Sequence, residues 1–410
     1  MVQLSSIALL AAMAFEFKSV LAKPAVNPFR VDLSAKISHL ELLVKNTDLP
    51  SKPLYPGAGP EFGLQLDLLR DLKTEWVEGY NWTQQEAELN QLSQYTTVIG
   101  DQTVHFVHEK SQHKDAIPLL LLHGWPGSFH EFLPVIKPLT ELHNISNGKA
   151  VSFDVVVPSL PGFLFSSPLP LNSSDADTAE LFNRLMVDVL GYPKYALHGT
   201  DWGSEVGYRL YESFNSSVRA AHFVFAPFTP PFPQDIADNN ITLSDSQKVT
   251  LQRSVDWLTI DQGYFQSQEF KPNDIGLALY DSPVGQLAWI GSLFNRWSDP
   301  RAGTGPSVLT KTAILTGVSL YYLTGSFQSS VWQYAHNANA FREYSKPPTD
   351  APMLWSSFEY NIGLWPREYV AQIGNLVEYK EHDFGGHFPG LDNPPALIED
   401  LRDIGLYFEF

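Results

Sequence analysis

The sequence predicts an α/β protein: a doubly wound, mostly parallel sheet with a helical insertion between two of its strands and an arm wrapped around it. Two observations predict this. Short apolar runs, IPLLLLHG (117–124), FDVVVPSLPG (153–162), KYALHGTD (194–201) and AAHFVFAP (220–227), alternate with helical stretches. Continuous apolar strands in that rhythm belong to a parallel sheet covered by helices on both faces. From about 228 to 347 the rhythm breaks into a Pro-, Asn-, Trp- and Tyr-rich stretch with helical periodicity. Strands PMLWSS (352–357) and GNLVEYK (374–380) then resume the sheet, and an amphipathic helix in PPALIEDLRDIGLYF (394–408) closes it. An insertion of this kind over a doubly wound sheet is a lid.

Ahead of the sheet, residues 27–92 read as largely helical, with Pro/Gly punctuation in SKPLYPGAGPEFG (51–63). TTVIGDQTVHFVHEK (96–110) alternates about Gly100-Asp101, as a β-hairpin does. The expected divisions are a leader over 1–22, an arm and first hairpin over 23–116, core over 117–227, lid over 228–347 and core again over 348–410.

Composition narrows the function. The 410 residues carry 27 basic and 45 acidic side chains, net −18, without a Lys/Arg run. Such a surface repels phosphate backbones and anionic headgroups, which argues against nucleic acid and membrane-surface partners. There is no cysteine, so disulfides, thiolate zinc sites and a cysteine nucleophile are excluded. Leu4 to Phe15 is an almost uncharged apolar run, too short to span a bilayer and of signal-peptide length. Cleavage is expected after Ala14 or Ala22. Five N-x-S/T sequons, at Asn81, Asn144, Asn172, Asn215 and Asn240, agree with a secreted or lumenal, glycosylated protein.

Three stretches carry chemistry. His198-Gly199-Thr200-Asp201-Trp202-Gly203-Ser204 follows an apolar strand and opens a helix. Glycines two residues either side of Asp201 permit the sharp turn known as a nucleophile elbow, with a carboxylate where esterases carry serine. A carboxylate there opens a strained or halogenated carbon and leaves an ester for water to hydrolyse. Ser204, three residues past the centre, disfavours a serine esterase. His123-Gly124-Trp125-Pro126-Gly127 follows the LLLL strand, and the backbone N–H groups of Trp125 and Trp202 are the expected oxyanion donors. Gly385-Gly386-His387 precedes the last helix, where His387 has the reach of a general base. Oxyanion loop, nucleophile, lid and histidine in that order, each at a strand's C-terminal end, predict the α/β-hydrolase fold.

HGWPGSFHEF (123–132), GTDWGS (199–204), DSPVG (281–285) and GGHFPG (385–390) resemble the microsomal-type epoxide hydrolases, over nearly the whole chain after the leader. The resemblance implies a cofactor-free, metal-free opening of an apolar epoxide to a vicinal diol, with water as co-substrate. It implies that residues 27–116 are the family's N-terminal arm and that lid tyrosines Tyr264 and Tyr334 donate to the epoxide oxygen. It also implies an Asp or Glu about 26 residues before the histidine to orient the imidazole. Here that position holds Asn361, and Glu359 is the alternative, weakly preferred; Asp383 reads as a loop-surface carboxylate. Haloalkane dehalogenase and a turnover-impaired, epoxide-binding member of the fold stand as the competing readings, and a homodimer is left open.

Overall fold

The computed structural model describes residues 23–338 and 340–409. The apolar leader and both expected cleavage sites lie outside the described residues. Nine strands form the main sheet: β1 (Val26–Phe29), β2 (Gln94–Ile99), β3 (Gln102–Glu109), β4 (Ile117–Leu122), β5 (Phe153–Pro158), β6 (Tyr195–Gly199), β7 (Val218–Phe223), β8 (Pro352–Tyr360) and β9 (Asn375–Gly386). Their order is β1-β2-β3-β5-β4-β6-β7-β8-β9. The first three and the β3–β5 pair are antiparallel, and every pairing from β5 to β9 is parallel.

The parallel strands are central, and β4 is buried along its whole length. A strand covered on both faces has no polar side, which is why IPLLLL lacks alternation. From β4 the chain steps outward to β5, then crosses back to β6 on the other side. The strand order therefore reverses between β4 and β6, the place where open sheets of this kind bind ligands.

The arm departs from the helical reading in one respect. Val26–Phe29 adds an edge strand antiparallel to β2. Pro28 has no N–H to donate, a defect tolerated only at an edge. The arm's helices Ile37–Asn46, Leu66–Glu78 and Trp82–Leu89 follow, and Trp76 and Trp82 are buried. Asn90 trades hydrogen bonds with the backbone of Val31, accepting at 2.9 Å and donating at 2.8 Å. Lys36 Nζ donates to the Leu323 carbonyl at 2.6 Å and Lys311 pairs with Asp71 at 2.6 Å, so the arm grips the lid.

The lid is helical. Its first long helix, Asp245–Thr259, starts on a capping box in which Ser244 and Gln247 bond each other's backbone amides at 3.1 Å. Its two ends meet: Phe228 and Arg342 form a β-bridge, and the Arg342 N–H donates to the Pro227 carbonyl at 2.9 Å.

A polar chain crosses the parallel strands inside the core. His198 Nδ1 lies 2.9 Å from His222 Nδ1, and His222 Nε2 lies 2.8 Å from Ser356 Oγ. Ser356 Oγ donates to Asp400 Oδ2 at 2.5 Å, and His382 Nε2 reaches the same oxygen at 2.6 Å. Asp400 sits on the helix Pro394–Arg402, so this chain docks the C-terminal helix to the sheet.

Candidate active site

The elbow is tight because β6 ends at Gly199 and the helix Asp201–Ser213 begins two residues later. Asp201 is left-handed, with φ 48°, which costs a non-glycine residue about 1–2 kcal/mol. Its neighbours must be bare: a Cβ on Gly199 would stand 2.6 Å from the Gly203 carbonyl oxygen, and one on Gly203 would stand 2.1 Å from that of Leu122.

The loop after β4 closes on the same carboxylate. Trp125 N–H donates to Asp201 Oδ1 at 2.7 Å. His123 holds this loop from below. Its Nε2 accepts the Leu160 N–H at 3.1 Å, so Nδ1 carries the proton toward the Gly124 carbonyl at 3.0 Å. Burial drags its pKa down to about 4, which keeps the ring neutral and the tautomer fixed. Trp202 is in the first turn of the helix, where its N–H has no partner within the helix.

His387 follows the last residues of β9. Gly385 has φ 104°, and a Cβ on Gly386 would stand 2.5 Å from the Trp297 carbonyl oxygen. His387 N–H donates to that same carbonyl at 2.8 Å. The ring then spans two partners: Nε2 lies 3.1 Å from Asp201 Oδ2 and Nδ1 lies 2.9 Å from Asn361 Oδ1.

The partner is therefore Asn361, and the weak preference for Glu359 is corrected. Asn361 turns back just past β8, its N–H on the Phe358 carbonyl at 3.0 Å, and this aims its side chain at the histidine loop. The Glu359 charge acts instead on Arg301 and Tyr360. The Asn361 amide has one orientation available. Its Nδ2 donates to the Val224 carbonyl at 2.8 Å, and its Oδ1 also accepts the Ile362 N–H at 2.8 Å. Oδ1 must then accept from His387, which puts the proton on Nδ1 and leaves Nε2 as the base facing Asp201. A carboxylate at 361 would set a negative oxygen against the Val224 carbonyl. Asp383 is exposed at the surface, as expected, but it lies within β9 and not in a loop.

Tyr264, on the helix Gly263–Phe270, and Tyr334, on the helix Trp332–His336, hang from the lid with ring centres 5.9 Å apart at 87°. Tyr264 stacks on Trp125 at 5.7 Å, and Tyr334 meets Trp202 edge-on at 4.9 Å. Both are buried, and burial first, with acidic neighbours after it, raises both phenols well above their ordinary range. Both therefore hold their protons. Trp257 Nε1 donates to Tyr264 Oη at 3.4 Å, and Tyr334 Oη is buried with Tyr264 and Trp202 acting on its phenol.

Between elbow and tyrosines lies a cavity of about 40 Å³, walled by Phe225, Trp257, Phe265 and Phe341. The sequence reading missed Trp257, the Val224 carbonyl and Glu205, which also lines this cavity. Of these only Glu205 leaves a local trace, one helical turn beyond Asp201. Among the described residues, no three His, Asp or Glu are grouped to hold a metal, and no helix is long and apolar enough to cross a membrane. Ser204 is buried within the elbow helix.

The architecture and the elbow define an α/β hydrolase with a carboxylate at the nucleophile position. Residues 117–257 match the alpha/beta hydrolase fold family, and residues 26–132 match the epoxide hydrolase N terminus. The structure of Aspergillus niger epoxide hydrolase aligns with a TM-score of 0.80 at 31% identity, covering 94% of this chain and 97% of that one. Juvenile hormone epoxide hydrolase of the silkworm Bombyx mori aligns at 0.82 and 25% identity, covering 94% and 95%. Epoxide hydrolase 1 of Sus scrofa is 28% identical over 404 residues, covering 92% of this chain and 88% of its own. The chain belongs to the epoxide hydrolase family, whose members hydrolyse an ether bond.

Proposed function

We propose that this epoxide hydrolase turns over small apolar epoxides through an ester on Asp201. The observation that carries the reading is the double hold on one carboxylate, by the Trp125 amide on Oδ1 and by His387 Nε2 near Oδ2. In the first step Asp201 attacks an oxirane carbon and the C–O bond breaks. The departing oxygen takes a proton from Tyr264 or Tyr334, donors that stay protonated because they are buried. In the second step His387 Nε2 removes a proton from water, whose oxygen adds to the ester carbonyl. The oxyanion so formed is met by the amides of Trp125 and Trp202. Collapse releases the diol and the Asp201 carboxylate, and the histidinium proton returns to the phenolate.

Halide displacement would leave the paired phenols without a role, so the epoxide is the better substrate. Asn361 fixes the imidazole without charging its surroundings, which supports a slow second step with the ester accumulating. A single turnover in ¹⁸O-water tests the scheme. Label should enter Asp201 and not the first diol; label in the first diol means that water attacked the epoxide directly.

We also propose a secretory route. All five sequon asparagines are exposed, which leaves each open to glycan. Intact mass of the protein expressed in a eukaryotic secretory host tests it, and unmodified asparagines with an intact Met1 would refute it.

A further inference from the structure

Apart from the groups assigned to chemistry, the cavity beside Asp201 is lined by apolar side chains and one charged one, Glu205. It is 4% exposed. Its Oε1 accepts from Arg209 Nε at 2.8 Å, whereas Oε2 is buried without a hydrogen-bond partner among the described residues. A helix-surface ion pair needs neither burial nor an unused oxygen. Leaving one in an apolar wall costs free energy that a bound donor recovers.

The surroundings keep this carboxyl suited to hydrogen bonding. Burial raises its pKa, with Arg209 and Arg342 pulling the other way. Behind it lies Asp175, also buried, whose Oδ1 accepts from Gln333 Nε2 at 2.6 Å and whose Oδ2 is likewise unpartnered. Burial and the Glu205 charge push Asp175 well up.

We infer that Glu205 is a specificity-determining residue, which hydrogen-bonds a hydroxyl carried by the epoxide's far end. This rests on the epoxide-hydrolase mechanism proposed above. Glu205 is four residues after Asp201 on one helix, and both line the same cavity. Residues four apart share a helix face. The favoured substrate is thus an epoxide, apolar along its chain, whose far end carries one hydroxyl on the Glu205 side of the cavity.

The test compares 1,2-epoxyhexane with 5,6-epoxyhexan-1-ol. The unaltered protein should show the higher kcat/KM for the hydroxylated epoxide. Glu205→Leu should lower the ratio of the two kcat/KM values by about thirtyfold, while Glu205→Gln, which keeps a donor and an acceptor, should lower it less than fivefold. No preference in the unaltered protein, or a ratio unmoved in Glu205→Leu, overturns the inference. Binding of hexane-1,2-diol and hexane-1,2,6-triol, followed by tryptophan fluorescence, separates this from the mechanism. If neither epoxide turns over, the mechanism fails, and Glu205 is then judged by whether its Leu variant loses the preference for the triol. The same binding ratio decides the matter if Glu205→Leu folds poorly, with Glu205→Met in its place.

Discussion

The lower half of the site, on the sheet, and the upper half, under the lid, are held by different forces. Below, Asp201 and His387 are fixed by directed contacts: a glycine-walled elbow, the Trp125 backbone amide, the Trp297 carbonyl reaching down from the lid and the Asn361 side-chain amide each set a position. Above, Tyr264 and Tyr334 are placed chiefly by ring packing against Trp125, Trp202 and each other. Directed bonds tolerate no change of atom type, whereas packing tolerates a change that keeps shape. In the proposed mechanism the nucleophile must meet a carbon at one angle, and the donors must follow an oxygen that moves as the ring opens. Rigid below and adaptable above suits both tasks.

Substitutions can break this contrast. The largest effect belongs to Asp201→Ala, which should abolish diol formation, by about 10⁵-fold or more by analogy with other lost nucleophiles, with the thermal midpoint retained. Diol measured by chromatography at a normal rate would remove Asp201 from the mechanism. Tyr264→Phe and Tyr334→Phe keep the packing and delete only oxygen. Each should slow alkylation of Asp201 by about 10²–10³-fold, and the double variant should be nearly dead. Rapid-quench mass analysis reads this directly, and a normal rate in the double variant reduces the lid tyrosines to packing residues.

Asn361→Leu should slow ester hydrolysis by about 10²-fold while alkylation stays within a few-fold, because the imidazole loses its tautomer. Asn361→Asp should change hydrolysis less than tenfold. Charge near the imidazolium helps, but the new oxygen faces the Val224 carbonyl that now accepts from Nδ2. The ester's decay in a quenched-flow trace measures both.

The smallest effect concerns the sheet alone. Burial acts to raise the pKa of Asp400, yet hydrogen bonds and charge from His382, with help from Ser356, bring it down from 3.8 to about 2. A carboxyl depressed in the folded state stabilises it above the ordinary pKa, and that stability drains as pH falls from about 4 to 2. The loss is about 2 kcal/mol. Asp400→Asn should flatten the stability profile across that window in urea titrations, and an unchanged slope would show that the chain across the sheet carries no such coupling.

The two halves also differed in legibility. The elbow, the HGWPG loop and the GGH turn are short segments whose chemistry and backbone demand lie in consecutive residues, so they could be read directly. The tyrosines could not: an aromatic lid offers many, and only resemblance to a family singled out Tyr264 and Tyr334. The orienting group required more than a count along the chain. Whether 359 or 361 faces the ring depends on a turn closed onto Phe358 and on a carbonyl supplied by Val224, after β7. Glu205 drew no attention because a helix glutamate four residues before an arginine reads as a surface pair. The edge strand Val26–Phe29 is too short, and too interrupted by Pro28, to show a period.

The lid's neck has a consequence for how this enzyme could diversify. The chain leaves the core at Pro227 and returns at Arg342 through one backbone hydrogen bond and one bridge. A segment whose two ends already touch can be exchanged as a cassette without re-threading the strands beneath it. The nucleophile, the base and the Asn361 amide stay with the sheet, while the phenols and the aromatic wall around them travel with the cassette. New substrates can thus be acquired by recombination at a single doorway, provided that the incoming segment again offers a carbonyl where Trp297 holds the His387 N–H.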